Sequence, residues 1–240
     1  MMAGFTAQEL REGGYRVPDI IAGGYTTADL KASGFAVSAL RLAGVPTPDM
    51  FEVGYSIAEL RTGGCTAAEL SDCGCDAAQL YHGGYSVQQL RAVGFSAQQL
   101  RDEANVSVQK LRVAGRVSAL EMHEIGLSAA ELREGGYPLK ALKEQVGLSA
   151  AALREGGYAA KELEDVGFSA QQLRTCGYPP DEIAQSCGFT VAELRRAGFT
   201  VADLKKHIGG LSAKELKEGG FSLQEIRTAG FRAWQLQALG

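Results

Sequence analysis

The chain has 240 residues and a formal net charge of −4, with a pI near 5.5. That balance argues against a general affinity for nucleic-acid backbones or anionic lipid surfaces, both of which need clustered positive charge. No apolar run approaches the ~18 residues of a membrane span, and the opening MMAGFT has neither the basic start nor the apolar stretch of a signal peptide, so a soluble protein of the reducing cytoplasm is expected.

From Gly4 onward one phrase recurs: glycine, an aromatic, serine or threonine, two small residues, an acid or glutamine, leucine, then a cation. There are 23 such repeats in a single elongated domain, most of them ten residues long. Self-similarity at a fixed period marks a repeat architecture in which each element packs on its neighbours and offers an extended surface.

The first nine repeats, Gly4 to Val93, are uninterrupted decapeptides such as GYTTADLKAS and GYSIAELRTG. Longer repeats begin at Gly94, Gly115, Gly136, Gly177 and Gly198, which are numbers 10, 12, 14, 18 and 20 in order. All five are even, and five of the seven repeats lacking a capping residue are even too, at Arg16, Ala36, Pro138, Ala159 and Pro179, with Pro46 and Arg232 the exceptions. This parity predicts pairs of repeats, an αα-hairpin of 20 to 22 residues.

The stretch from Gly126 to Gly136 shows what one repeat is. Ser128 can cap a first turn while Glu131 reaches back to the capping amide, and Leu127 can staple onto Leu132. Gly135 or Gly136 then supplies the left-handed residue that stops the helix. About two turns remain, too short to stand alone, so neighbouring repeats must hold each helix. All six prolines, Pro18, Pro46, Pro48, Pro138, Pro179 and Pro180, fall at the cap or within two residues after it, where a missing amide costs nothing. The expected fold is therefore an all-α solenoid of very short helices. A β-solenoid would gain nothing from capping boxes. The leucine slot is Leu, Ile or Met in all 23 repeats, and the slot before the cap is Phe or Tyr in 15 of them; those two slots are the predicted core.

Candidate contacts come from the slot after the leucine, which is Lys or Arg in 15 repeats, including Arg61, Arg91, Arg133, Arg174 and Arg195. Inter-repeat ion pairing with the acidic slot explains such a stripe, and an acidic partner surface is the functional alternative. Ile21, Phe51 and Tyr81 replace the cation with large apolar groups, and Trp234 is the lone tryptophan; these four are candidate partner contacts. Cys65, Cys73, Cys75 and His82 cluster in sequence but lack the CxxC-like spacing of a zinc site, so no metal is expected. The five cysteines show no disulfide framework. The GG steps read as helix stops, since none belongs to a phosphate-binding motif. Slots filled this uniformly offer no convergent nucleophile, base and acid. The expectation is a non-catalytic scaffold or protein-interaction module with no cofactor, small-molecule substrate or nucleic acid, the alternative being head-to-tail self-assembly.

Overall fold

The computed structural model describes residues 4–232, 234 and 235. Among the described residues there are short helices and no strand. They fall into two compact units, residues 1–117 and 118–240. The N-terminal unit contains α1 (Ala7–Glu12), α2 (Val17–Ala22), α3 (Thr27–Ala32), α4 (Val37–Leu42), α5 (Thr47–Glu52), α6 (Ile57–Thr62), α7 (Ala67–Asp72), α8 (Ala77–His82), α9 (Val87–Val93), α10 (Ala97–Asp102) and α11 (Val108–Val113). The C-terminal unit contains α12 (Ala119–Glu124), α13 (Ala129–Glu134), α14 (Leu139–Ala141), α15 (Ala150–Glu155), α16 (Ala160–Asp165), α17 (Ala170–Thr175), α18 (Pro180–Ser186), α19 (Val191–Arg196), α20 (Val201–His207), α21 (Ala213–Glu218) and α22 (Leu223–Thr228), with α14 running into a π-helical turn at Leu142–Val146.

The passage from α6 to α7 shows how ten residues suffice. Ser56 caps α6 in a complete capping box with Glu59, satisfying amides that the helix itself cannot. At the other end Gly63 keeps a right-handed conformation while Gly64 is left-handed, at φ +94°. Gly64 N–H then bonds to Arg61 O at 3.0 Å and Cys65 N–H to Leu60 O at 2.8 Å, the Schellman arrangement. Thr66 is already the extended N-cap of α7. The residue between, Cys65 here and usually Phe or Tyr, therefore closes one helix and leads into the next. The uncapped positions expected at Arg16, Ala36, Pro46, Pro138 and Pro179 are N-caps without a side-chain bond. At Ala159 the deficit is met partly from outside: Glu162 of the same helix accepts from the Ala159 amide at 2.8 Å, and Glu182 of α18 accepts from Ala160 N–H at 2.9 Å.

Within each unit helices pack on the helix two places along, α1 on α3, α5 on α7, α7 on α9, α13 on α15, α17 on α19 and α19 on α21. Odd and even helices thus form two columns sharing one core. Leucine-slot side chains are buried, Leu10 at 4 % exposure and Leu30, Leu60, Leu90 and Leu153 at none; the slot's last occupant, Leu236, lies outside the described residues. The core is wider than the two expected slots. A third slot, the first helical residue, is buried at Ala7, Val17, Val37, Ala67, Val87, Ala129 and Val201, because it points between successive helices of a column.

Insertions correct the parity expectation. After α10, α11 and the π-helical turn, the chain closes with a bond one residue wider than usual: Val106 N–H to Leu100 O at 3.0 Å, Val117 N–H to Leu111 O at 3.2 Å and Leu148 N–H to Leu142 O at 3.0 Å. The left-handed residues there are Asn105, Arg116 and Gly147. The repeat assigned to Gly115 therefore begins at Arg116, and its extra residue belongs to the turn after α11, an odd helix. Insertions occur in both classes of turn. The two-helix period rests on the column contacts instead.

Candidate functional site

The slot after the leucine lies at the C-terminal end of its helix and forms a ladder up each column. Arg11 donates to Gly34 O at 2.9 Å, Lys31 to Val53 O at 2.8 Å, Arg61 to Gly83 O at 3.1 Å, Arg154 to Cys176 O at 3.2 Å, Arg174 to Ala197 O at 3.0 Å and Lys205 to Ala229 O at 3.1 Å. Arg133 and Lys143 likewise donate to Gly157 O and Val166 O. Each carbonyl ends the next helix of the same column, where a cation is favoured by the helix dipole and by the unpaired oxygens. The same cations lie over an aromatic ring: Arg133 over Tyr158 at 4.5 Å, Lys143 over Phe168 at 4.6 Å, Arg174 over Phe199 at 4.9 Å and Arg195 over Phe221 at 5.3 Å. Ring and carbonyl together, rather than a facing acidic row, are the recurrent partners. The acids are mostly occupied closer to home, capping their own helices as Glu9, Asp29, Glu59 and Glu225 do. Inter-repeat ion pairs occur at Arg41–Glu69 (3.0 Å), where the ring is missing, and at Arg133–Glu162 (3.5 Å), where the ladder is otherwise regular.

Departures from the ladder have local reasons. In the register of the ladder, Ile21, Phe51 and Tyr81 stand opposite Val45, Cys75 and Val106, positions where the ring is missing. A large apolar group on one side accompanies a smaller group on the other. Ile21 is 37 % exposed and lines a groove with Val45 and Pro46; Phe51 and Tyr81 are half-buried. Lys110 of α11 covers Tyr81, with its ammonium 4.9 Å from the ring centre and 2.7 Å from the hydroxyl. Opposite Arg41 the ring is replaced by Cys65, and the guanidinium descends to grip both oxygens of Glu69, at 3.1 and 3.0 Å. The buried Thr47 hydroxyl lies 3.3 Å from the same carboxylate. Burial pushes the Glu69 carboxyl up, but the Thr66 amide, Arg41 and the Thr66 hydroxyl together bring it down to about 2. Glu164 inverts the slot's charge and accepts from Gly188 N–H at 3.2 Å. Arg91 donates to Phe95 O at 3.3 Å. Trp234 is 67 % exposed.

The ladder slot forms the rim of a groove that recurs in register. Between α4 and α6 it is lined by Lys31, Phe35, Val37, Tyr55 and Glu59; between α7 and α9 by Arg61, Cys65, Ala67, Tyr85 and Gln89; between α20 and α22 by Arg195, Phe199, Val201, Phe221 and Glu225. Eight of the nine candidate contacts occupy the ladder slot, and of these Ile21, Arg61 and Arg195 line a groove; Trp234 stands apart. Sequence alone identified the slot but not the groove, whose floor is the unexpected third core slot.

All five cysteines are free thiols, three of them buried. Burial pushes the Cys187 thiol up to about 11, which keeps it protonated and unreactive. Among the described residues no group of three or more His, Cys, Asp or Glu side chains is placed to hold a metal ion. Nor is any described helix long and apolar enough to cross a membrane. The family profile of the decapeptide repeat region matches residues 2–65, 54–117, 116–186 and 184–240. No curated protein matches the chain.

Proposed function

The chain belongs to the decapeptide repeat family, and we propose that it is a non-catalytic scaffold whose recurring grooves bind protein partners. The observation that carries this reading is the repetition of one groove in register, with the same slot at the floor each time and the rim varied from Lys31, Arg61 or Arg195 to Ile21. A constant floor gives a common mode of docking, and a varied rim gives selectivity. The rim residues Ile21, Phe51, Tyr81, Arg61, Arg91, Arg133, Arg174 and Arg195, with Trp234, are the proposed contacts. A non-catalytic role agrees with the chemistry: the capping acids and ladder cations spend their charges on helix ends. The free thiols support placement in a reducing compartment.

Affinity capture comparing the unmodified chain with an Ile21→Arg/Phe51→Arg/Tyr81→Arg variant tests the reading, with a circular-dichroism melt to confirm the variant folds. A partner held by the former and lost by the folded variant is expected; identical capture by both removes the rim from the proposal. A second reading, self-assembly, is favoured by the exposure of Tyr15 and Leu223 at 51 % and 59 %.

A further inference from the structure

Three contacts recur between one helix and the next in its column. The residue heading a helix packs on the residue that ends the next one, and in three pairs a branched side chain meets a glycine: Val37 with Gly63, Ile57 with Gly83 and Val191 with Gly219, each so close that an added methyl would overlap the side chain. The ladder cation covers the ring that follows that glycine turn. Several ring-slot tyrosines donate to the ring-slot carbonyl two repeats earlier, as Tyr55 does to Phe35 O at 2.7 Å and Tyr85 to Cys65 O at 2.6 Å, while the buried Tyr158 hydroxyl makes no such bond.

Two faces carry the unmatched halves of all three contacts. On the α22 face, Leu223 heads the helix at 59 % exposure, although that slot is buried at Val37, Val87 and Val201, and Arg227 is exposed. On the α1–α2 face, Gly13 ends α1 with an ordinary φ of −71°. A side chain there would meet only atoms of Glu9, Leu10 and Tyr15, and Tyr15 stands 51 % exposed beyond it. Leu223 fits Gly13 as Ile57 fits Gly83, Arg227 fits the Tyr15 ring as Arg195 fits Phe221, and the Tyr15 hydroxyl fits the Phe231 carbonyl as Tyr55 fits Phe35 O. We propose that a second copy of this chain seats its α1–α2 face on the α22 face in this register, so that the columns continue from one copy to the next.

The test is sedimentation velocity of the full chain over a concentration series, with melting curves as the check on folding. Mass rising with concentration is expected. Gly13→Val and Leu223→Arg, each introduced separately, should weaken association at least about tenfold by overpacking or by burying a charge, at unchanged melting temperature. The compensating pair Gly13→Val/Leu223→Ala should recover it. A monomer at every concentration, or association indifferent to both single changes, overturns the proposal. Neither face includes positions 21, 51 or 81, so partner capture and self-association can fail independently.

Discussion

Glu69 closes its own helix through Thr66 and holds the neighbouring repeat through Arg41. Its carboxyl, at about 2 in the folded chain, lies below the ordinary value near 4.3. A group with a depressed folded value contributes stability that is present above the unfolded value and lost as pH falls toward the folded one. Glu9, Asp29, Glu193, Asp203, Glu215 and Glu225 are held down in the same direction, by the backbone amide of their capping residue and then by its hydroxyl. The melting temperature should therefore fall steeply from about pH 4.5 to about pH 2. Glu69→Gln should lower it at pH 7 and make the acid drop shallower, as thermal melts at both pH values would show. Arg116 makes a second point at this scale. It is exposed, at φ +53°, a conformation that costs a side-chain-bearing residue about 1 kcal/mol. Arg116→Gly should raise stability by about that amount in a denaturant titration. Sequence reading gave the turn to Gly115 because glycine is the usual left-handed residue; the wider closing bond after α11 moves the turn one place along.

Helices were the most legible elements. Capping residue, leucine, stop glycine and proline placement all follow from the local chemistry of helix ends, which ten residues contain in full. What escaped notice depends on residues about twenty or more positions away: the third core slot, the groove it floors and the ladder's true partners. An alanine at that slot, as in Ala67 or Ala129, gives no local sign that it is buried. Gly63 and Val37 show how the distant term acts. Gly63 has φ −74°, which any residue tolerates, so only the proximity of Val37 demands glycine there. Gly63→Ala should cost about 1–3 kcal/mol by overpacking, and adding Val37→Ala should return most of it. A double-mutant cycle by chemical denaturation measures the coupling; additive losses would show that the glycine serves its own turn alone.

Over the whole molecule, each compact unit builds its core from contacts between helices near one another in sequence. Stability in such arrays approximates a sum of repeat and interface terms. Residues 1–117 and 118–240, expressed separately, are expected to give helical circular dichroism and cooperative melts of their own. A fragment that stays unfolded while the full chain folds would show that its core is not self-sufficient. The cation ladder adds a direction to this sum. Where a ladder cation reaches the carbonyl of another helix, that helix is the next in its column and not the one before, as Lys31 of α3 shows at Val53 beyond α5. The repeats therefore overlap like roof tiles, every one pinned by the tile laid earlier. Lys31→Ala should speed amide exchange around α5 while leaving α1 protected. Loss of one ladder cation would therefore loosen first the helix on its higher-numbered side.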